Sequence, residues 1–406
     1  MTRNEQGTAR LVKEGKAKFV GTWLFLSSGF LLVSGTVGAY ARNIRIGQNK
    51  IEYRPDFKFP KDEKQWEEKY EEFKKTKEYY SRGWEVGLEE FKQTYWLLTA
   101  GVIGALGSMV TGFVPMFYFL ARGYFKKPMK QFALLYTLAI ATVGAHGHYM
   151  DNMRPGQQEG EPLPPKDPNQ VALHYLLVYT VFSITYWQSL KLLAKNPNSV
   201  KKLKHYFGSR VLRKHLMITS HTLFALVLLS GYLMAGHNAG RAINTYPKVN
   251  GQWFLTKDDI DSSISLPQNF FENKRLIHFT HRTLGTLLLP LAAIQWLLVM
   301  RTGLSLKLKF FTTLLVGAIT GQLHFGSYMV VKNMDLNSVL YHSGNSFLIL
   351  GLFLYLIYST RRPDPKVLKT LAAKFKAKNP EKFEAFTKRY SKQMEKILNP
   401  PMEPVI

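Results

Sequence analysis

The 406-residue chain carries 54 lysines and arginines against 28 acidic residues, a formal net charge of +26, and has no cysteine. It is 46% hydrophobic and 14% aromatic, yet its mean hydropathy is only -0.13. Apolar blocks must therefore alternate with very polar ones, as in a polytopic membrane protein with sizeable loops. The basic residues sit between the apolar blocks, which excludes a nucleic-acid footprint in favour of positive-inside loops, and the missing cysteines exclude disulfides, thiolate-ligated heme, iron–sulfur clusters and cysteine zinc sites.

A basic head over residues 1–18 precedes the first apolar run. About eight runs follow, near the roughly 20 residues that a bilayer core requires: 19–40, 95–121, 131–150, 171–193, 215–236, 276–300, 308–331 and 338–359. The predicted fold is all-α, with about eight transmembrane helices arranged as two tandem four-helix bundles over 19–193 and 215–360. The loops after the second, fourth and sixth runs hold Lys126, Lys127 and Lys130, then Lys201, Lys202, Lys204, Arg210, Arg213 and Lys214, then Arg301, Lys307 and Lys309. These loops and both termini are expected on the matrix or cytoplasmic side.

The opposite loops are longer and more balanced in charge. Glu63–Phe73 reads as a charged helix with Trp66, Tyr70 and Phe73 along one side, expected on the outer surface as a lid or docking helix. Residues 151–169 and 237–275 read as irregular loops, the second packed over a site. Residues 194–214 form a basic connecting loop. The tail, 361–406, is basic with Phe375, Phe383, Phe386 and Tyr390 spread along it. It is expected either to lie amphipathically on an anionic membrane or a partner, or to be a solvated helix.

A repeat ties the halves together. Ser28-Gly29-Phe30-Leu31-Leu32 returns as Ser230-Gly231-Tyr232-Leu233-Met234, and Gly147-His148-Tyr149-Met150 as Gly326-Ser327-Tyr328-Met329. In the second half, His281 and His342 lie a few residues into parallel spans, hence at similar depth, and two such histidines can ligate one iron. The bland alternative for each is a helix–helix hydrogen bond. His174 is the counterpart of His342, with His146 and His148 as substitute partners. The counterpart of His281 is missing, because Gly101 stands in its place. His278 lies one turn before His281 on nearly the same face. His324 reads as a satisfied interior histidine, and His205 and His215 as unspecific.

The chain resembles the heme A synthases, eight-span enzymes that convert heme O to heme A for cytochrome oxidase. The resemblance covers about residues 19–360. It is carried by Ala235-Gly236-His237-Asn238-Ala239-Gly240, Tyr246-Pro247-Lys248, Phe271-Glu272-Asn273, Phe279-Thr280-His281-Arg282-Thr283-Leu284-Gly285 and His342-Ser343-Gly344. In the first half it continues through Trp66-Glu67-Glu68, Leu88-Glu89-Glu90-Phe91-Lys92, Pro115, Tyr149-Met150 and His174. It implies a heme b with His281 and His342 as axial ligands. Arg282 suits a propionate in bidentate geometry, and His278 a propionate or the neighbouring loop.

The family's Glu-x-x-His-Arg pattern at the start of the second span supplies a catalytic glutamate and a substrate-heme histidine. Leu98, Gly101 and Val102 stand there instead. No catalytic residue is therefore assigned, and the first half is left either without heme or with one held by His174 and a substitute partner. The resemblance then implies an accessory or structural subunit of cytochrome oxidase or a respiratory supercomplex, in contact with membrane lipids, in the mitochondrial inner membrane. An active heme A synthase and a b-type membrane electron carrier are the alternatives.

Overall fold

The computed structural model describes residues 11–43, 58–76, 79, 87–152, 167–193, 210–219, 224–301, 304–332, 334–361, 365–391 and 394–395. Among these residues the regular structure is helical. The first half contains α1 (Ala17–Asn43), α2 (Glu63–Lys74), α3 (Leu88–Ala121), α4 (Lys127–Asn152) and α5 (Pro168–Leu193). The second contains α6 (Arg210–Ile218), α7 (Ala225–His237), α8 (Leu266–Glu272), α9 (Lys274–Met300), α10 (Leu306–Val331) and α11 (Leu336–Thr360), and the tail adds α12 (Pro365–Lys378) and α13 (Pro380–Arg389).

Five helices, over Ala17–Ala39, Leu88–Ala121, Lys274–Met300, Leu306–Val331 and Asn337–Thr360, are long and apolar enough to cross a bilayer. Helices α4 and α5 have 26 residues each, about 39 Å at 1.5 Å per residue, and pack into the same assembly. The chain is an all-α polytopic membrane protein. The expected span 215–236 falls on α6 and α7, with 220–223 outside the described residues.

Helix α1 lies along α3 and α5, α4 along α5, α7 along α9, and α10 against both α9 and α11. The halves meet where α7 and α11 pack on α5, and α11 also packs on α1. Glycines permit the closest approaches. A Cβ on Gly104 would lie 3.3 Å from the Ser34 backbone, and one on Gly236 would fall well inside van der Waals contact of the Pro168 carbonyl oxygen.

Four expectations change. The connecting loop expected at 194–214 is helical from Arg210, while 194–209 lies outside the described residues. Leu212 and Leu216 are buried one turn apart, giving α6 an apolar stripe. Arg213 Nη1 donates to the Thr360 carbonyl at 2.9 Å, a cation closing the C-terminal end of α11. Within the head, Lys13 N–H donates to Tyr124 O and Lys126 N–H to Leu11 O, which clamps residues 11–13 to the α3–α4 turn with Val12 buried.

Helix α2 does not present its aromatics as a docking face. Asp62 caps it, accepting from Gln65 N–H at 2.9 Å, and Trp66 and Phe73 are buried against Phe91 and Tyr95 at the start of α3. Aromatic rings gain from edge-on and offset contacts, and the Phe73–Phe91 centroids are 5.0 Å apart. The tail likewise turns its apolar side inward. Leu368, Ala372, Phe375, Phe386 and Met394 form one buried cluster, so its aromatics pack on one another rather than forming a face for lipid.

Adding a methyl group where backbone already crowds is expected to force helices apart, at a cost of about 1–3 kcal/mol. Gly236→Ala should therefore lower the melting temperature of the detergent-solubilised protein by several degrees. Gly144→Ala, where a Cβ would meet nothing within 4 Å, should leave it unchanged.

Candidate functional site

Both helices that carry the second-half histidines begin with side-chain caps, which fix where each histidine falls. Asn273 accepts from the N–H groups of Arg275 and Leu276 at 2.9 and 3.3 Å, and Asp335 accepts from that of Ser338 at 2.9 Å. Two turns into α9 stands His281, and in the second turn of α11 stands His342. Their ring centroids lie 6.3 Å apart with planes at 73°. Two metal–nitrogen bonds of about 2.0 Å plus the distances from nitrogen to ring centre come to about the same span.

Hydrogen bonds decide which nitrogens face the gap. Ser230 donates its hydroxyl proton to the Val227 carbonyl at 2.9 Å, so toward His281 Nδ1, 3.1 Å away, its oxygen is the acceptor. His281 is then protonated at Nδ1. His342 Nδ1 lies 3.2 Å from the Gln322 carbonyl, which can only accept, so this ring has the same tautomer. Asn345 braces that carbonyl's residue, donating from Nδ2 to Gln322 Oε1 and to Ala318 O, both at 2.8 Å. Both Nε2 atoms are left with lone pairs, the arrangement of a ligating histidine whose other nitrogen is tied to an outer group.

Two glycines make room for these rings. A Cβ on Gly231 would lie 3.1 Å from His281 Cε1, and one on Gly326 3.1 Å from His342 Cε1. Both histidines line a partly open cavity of about 200 Å³, together with His278, Arg282, Tyr246 and Met334. His278 is 1% exposed and its Nδ1 has no hydrogen-bond partner, so an acceptor or donor on a ligand in the cleft would satisfy it. The spacing, the tautomers, the glycine cradles and this unsatisfied nitrogen all fit a heme. Arg282 is directed to the 238–265 loop: Nη1 donates to Thr245 O at 3.1 Å, Nη2 to Pro247 O, and the guanidinium lies 5.3 Å from the Tyr246 ring centre. That loop contains two 3₁₀ turns. Its Asp261 carboxyl accepts from Ser263 N–H and Oγ–H, which holds its pKa below the ordinary value.

The first half repeats some of these contacts and is tightly packed at Gly101. Ser28 back-bonds to Phe25 O at 2.6 Å as Ser230 does to Val227, and a Cβ on Gly147 would lie 3.3 Å from His174 Cε1 as one on Gly326 does from His342. Yet a Cβ on Gly101 would already lie 3.1 Å from Val37 Cγ1, and one on Gly107 2.9 Å from the Phe30 ring, so α1 fills the space a larger ligand would need. Leu98 is buried in the aromatic cluster under α2. His174 Nδ1 faces His146 Nδ1 at 3.4 Å. His146 Nε2 donates to Gln170 Oε1 at 2.9 Å, which makes His146 Nδ1 the acceptor and His174 the donor. His148 is exposed, and His324, expected inside, is exposed on α10 and stacks on Tyr328. His215 is half-buried on α6, and His205 lies outside the described residues.

Residues 21–354 match the model of the cytochrome oxidase assembly protein family, COX15-CtaA. The chain belongs to that family. It is 26% identical over 375 residues to heme A synthase COX15 of Arabidopsis thaliana, covering 91% of this chain and 81% of the relative. To heme A synthase of Nitrosospira multiformis it is 26% identical over 352 residues, covering 85% and 94%. To heme A synthase COX15 of Homo sapiens it is 24% identical over 366 residues, covering 88% and 86%. It is thus a heme A synthase-like membrane protein, and its family implies a heme cofactor.

The sequence pointed to both histidines but not to Ser230, Gln322 or Asn345. Their signals were the Ser-Gly repeat and an amide one turn after His342. Ser230→Ala removes one of the hydrogen-bond partners of His281, whose ring also interacts with the Val227 carbonyl, and is expected to weaken iron-porphyrin retention about 10-fold, read by transfer to apomyoglobin. Ser28→Ala, at the repeat position in the first half, should leave retention unchanged.

Proposed function

We propose that this protein is a heme A synthase homologue of the mitochondrial inner membrane that holds one heme b between His281 and His342 and does not convert heme O to heme A. The observation that carries this reading is the contrast between two copies of one scaffold. In the second half, two imidazoles 6.3 Å apart present lone pairs across a cleft. In the first, the ligand position is Gly101, with Val37 against it, and the acid position is Leu98, buried among aromatics.

Bound in the second half, the heme would supply an iron redox couple. The chain's own residues do the rest: Ser230 and Gln322 fix the tautomers, the flanking glycines admit the rings, and His278 offers its free nitrogen to a polar group of the ligand. Oxidising a second, substrate heme needs an iron ligand and a placed acid or base. Position 101 has neither room nor ligand, and His174 is engaged with His146.

A role beside cytochrome oxidase or in a respiratory supercomplex, as an accessory or structural subunit, follows from a retained fold with one closed site. It is favoured by relatives that are heme A synthases and by a family described as cytochrome oxidase assembly proteins. The basic ends of the bundle favour a matrix location for both termini.

A pyridine hemochrome spectrum of the purified protein is expected to give one heme b per chain. His281→Ala and His342→Ala should each lose it, and His174→Ala should keep it. Expressed with a heme O source, the protein should produce no heme A; detectable heme A would restore the enzymatic reading. Blue-native electrophoresis after mild detergent extraction is expected to show co-migration with the oxidase, and migration only as a free protein would contradict the accessory role.

A further inference from the structure

The tail has no part in the heme site, and its fold gives it a different surface from the one an amphipathic tail suggests. Helices α12 and α13 bury their apolar residues in a common cluster, with Phe375 edge-on to Phe383 and Phe386 at 5.6 Å. What remains outside is cationic. Residues 365–390 hold seven lysines and one arginine against two glutamates, a net charge of +6. Lys369, Lys374, Lys376, Lys378, Lys382, Lys388 and Arg389 are all exposed.

The tether is short. Helix α11 ends at Thr360 and α12 begins at Pro365, so the hairpin starts at most about 18 Å from the end of the last membrane-crossing helix. A tether of this length lets the hairpin reach the surface of the bilayer, where the field of anionic lipids extends about a Debye length, roughly 8 Å at physiological ionic strength.

We propose that the α12–α13 hairpin binds anionic lipid headgroups of the membrane its own chain spans, through its lysines and without inserting apolar side chains. An inserting helix would present an apolar face to lipid, whereas here that face is covered by the partner helix. The lysine face is complementary to phosphate, and its short tether makes the surrounding membrane the nearest source. This inference is independent of whether the second half holds heme.

The natural chain has no cysteine, so Ala377→Cys, at an exposed position of α12, accepts a single fluorophore. The labelled full-length protein is reconstituted in nanodiscs carrying a headgroup-linked acceptor, in phosphatidylcholine alone or with phosphatidylglycerol. Energy transfer is expected to rise at least twofold with phosphatidylglycerol and to return to the phosphatidylcholine level in 1 M salt, where the Debye length is about 3 Å. Replacing Lys374, Lys376, Lys378 and Lys382 with glutamine should abolish the rise, and replacing them with arginine should keep it. Transfer that ignores phosphatidylglycerol would overturn the proposal and leave the cationic face to an acidic protein. A rise that survives 1 M salt would overturn it in favour of apolar insertion.

Discussion

A polar ring among apolar helices must satisfy both of its nitrogens, because an unmet hydrogen-bonding group away from water costs more than the packing around it returns. That constraint organises the second half. Ser230 and Gln322 accept the Nδ1 protons of His281 and His342, and each ring is left with one lone pair that no protein donor meets. The lone pairs belong to rings on two helices that are both packed on α10 or its neighbours, so the gap between them is held by the bundle. The helix caps at Asn273 and Asp335 set the depth of each ring, and Gly231 and Gly326 set how near the flanking helices come.

The first half is packed differently. With glycine at position 101, α1 and α3 are free to close, and the small positions Gly101, Gly104 and Gly107 bring Val37, Ser34 and Phe30 against α3. His174 faces His146 beside it. Leu98 joins Trp66, Phe73 and Tyr95 in an aromatic core beneath α2. The interface of α1 and α3 is thus tightly packed at Gly101, Gly104 and Gly107.

What the sequence disclosed and what it withheld follow the same physics. Apolar runs and their basic flanks reveal membrane helices, because those signals are local in the chain, and the repeated Ser-Gly and Gly-x-Tyr-Met segments suggest two tandem halves. Which surface an amphipathic helix covers is not local. Trp66 and Phe73 on α2, and Phe375 and Phe386 in the tail, have the same pattern whether they meet lipid, a partner or their own chain. The exposed position of His324 was hidden for a related reason: in a membrane helix the side toward lipid is as apolar as the side toward the core. Ser230, Gln322 and Asn345 escaped notice because their roles depend on contacts between residues 20 or more apart.

The central claim is that His281 and His342 clasp one iron with their rings turned as the fold holds them. Low-temperature electron paramagnetic resonance of the oxidised protein tests it directly. Ring planes at 73° predict the strongly anisotropic low-spin signal of nearly perpendicular axial imidazoles, lost on replacing either histidine with alanine. A high-spin signal, the milder anisotropy of parallel rings, or a low-spin signal that survives either replacement would contradict the account.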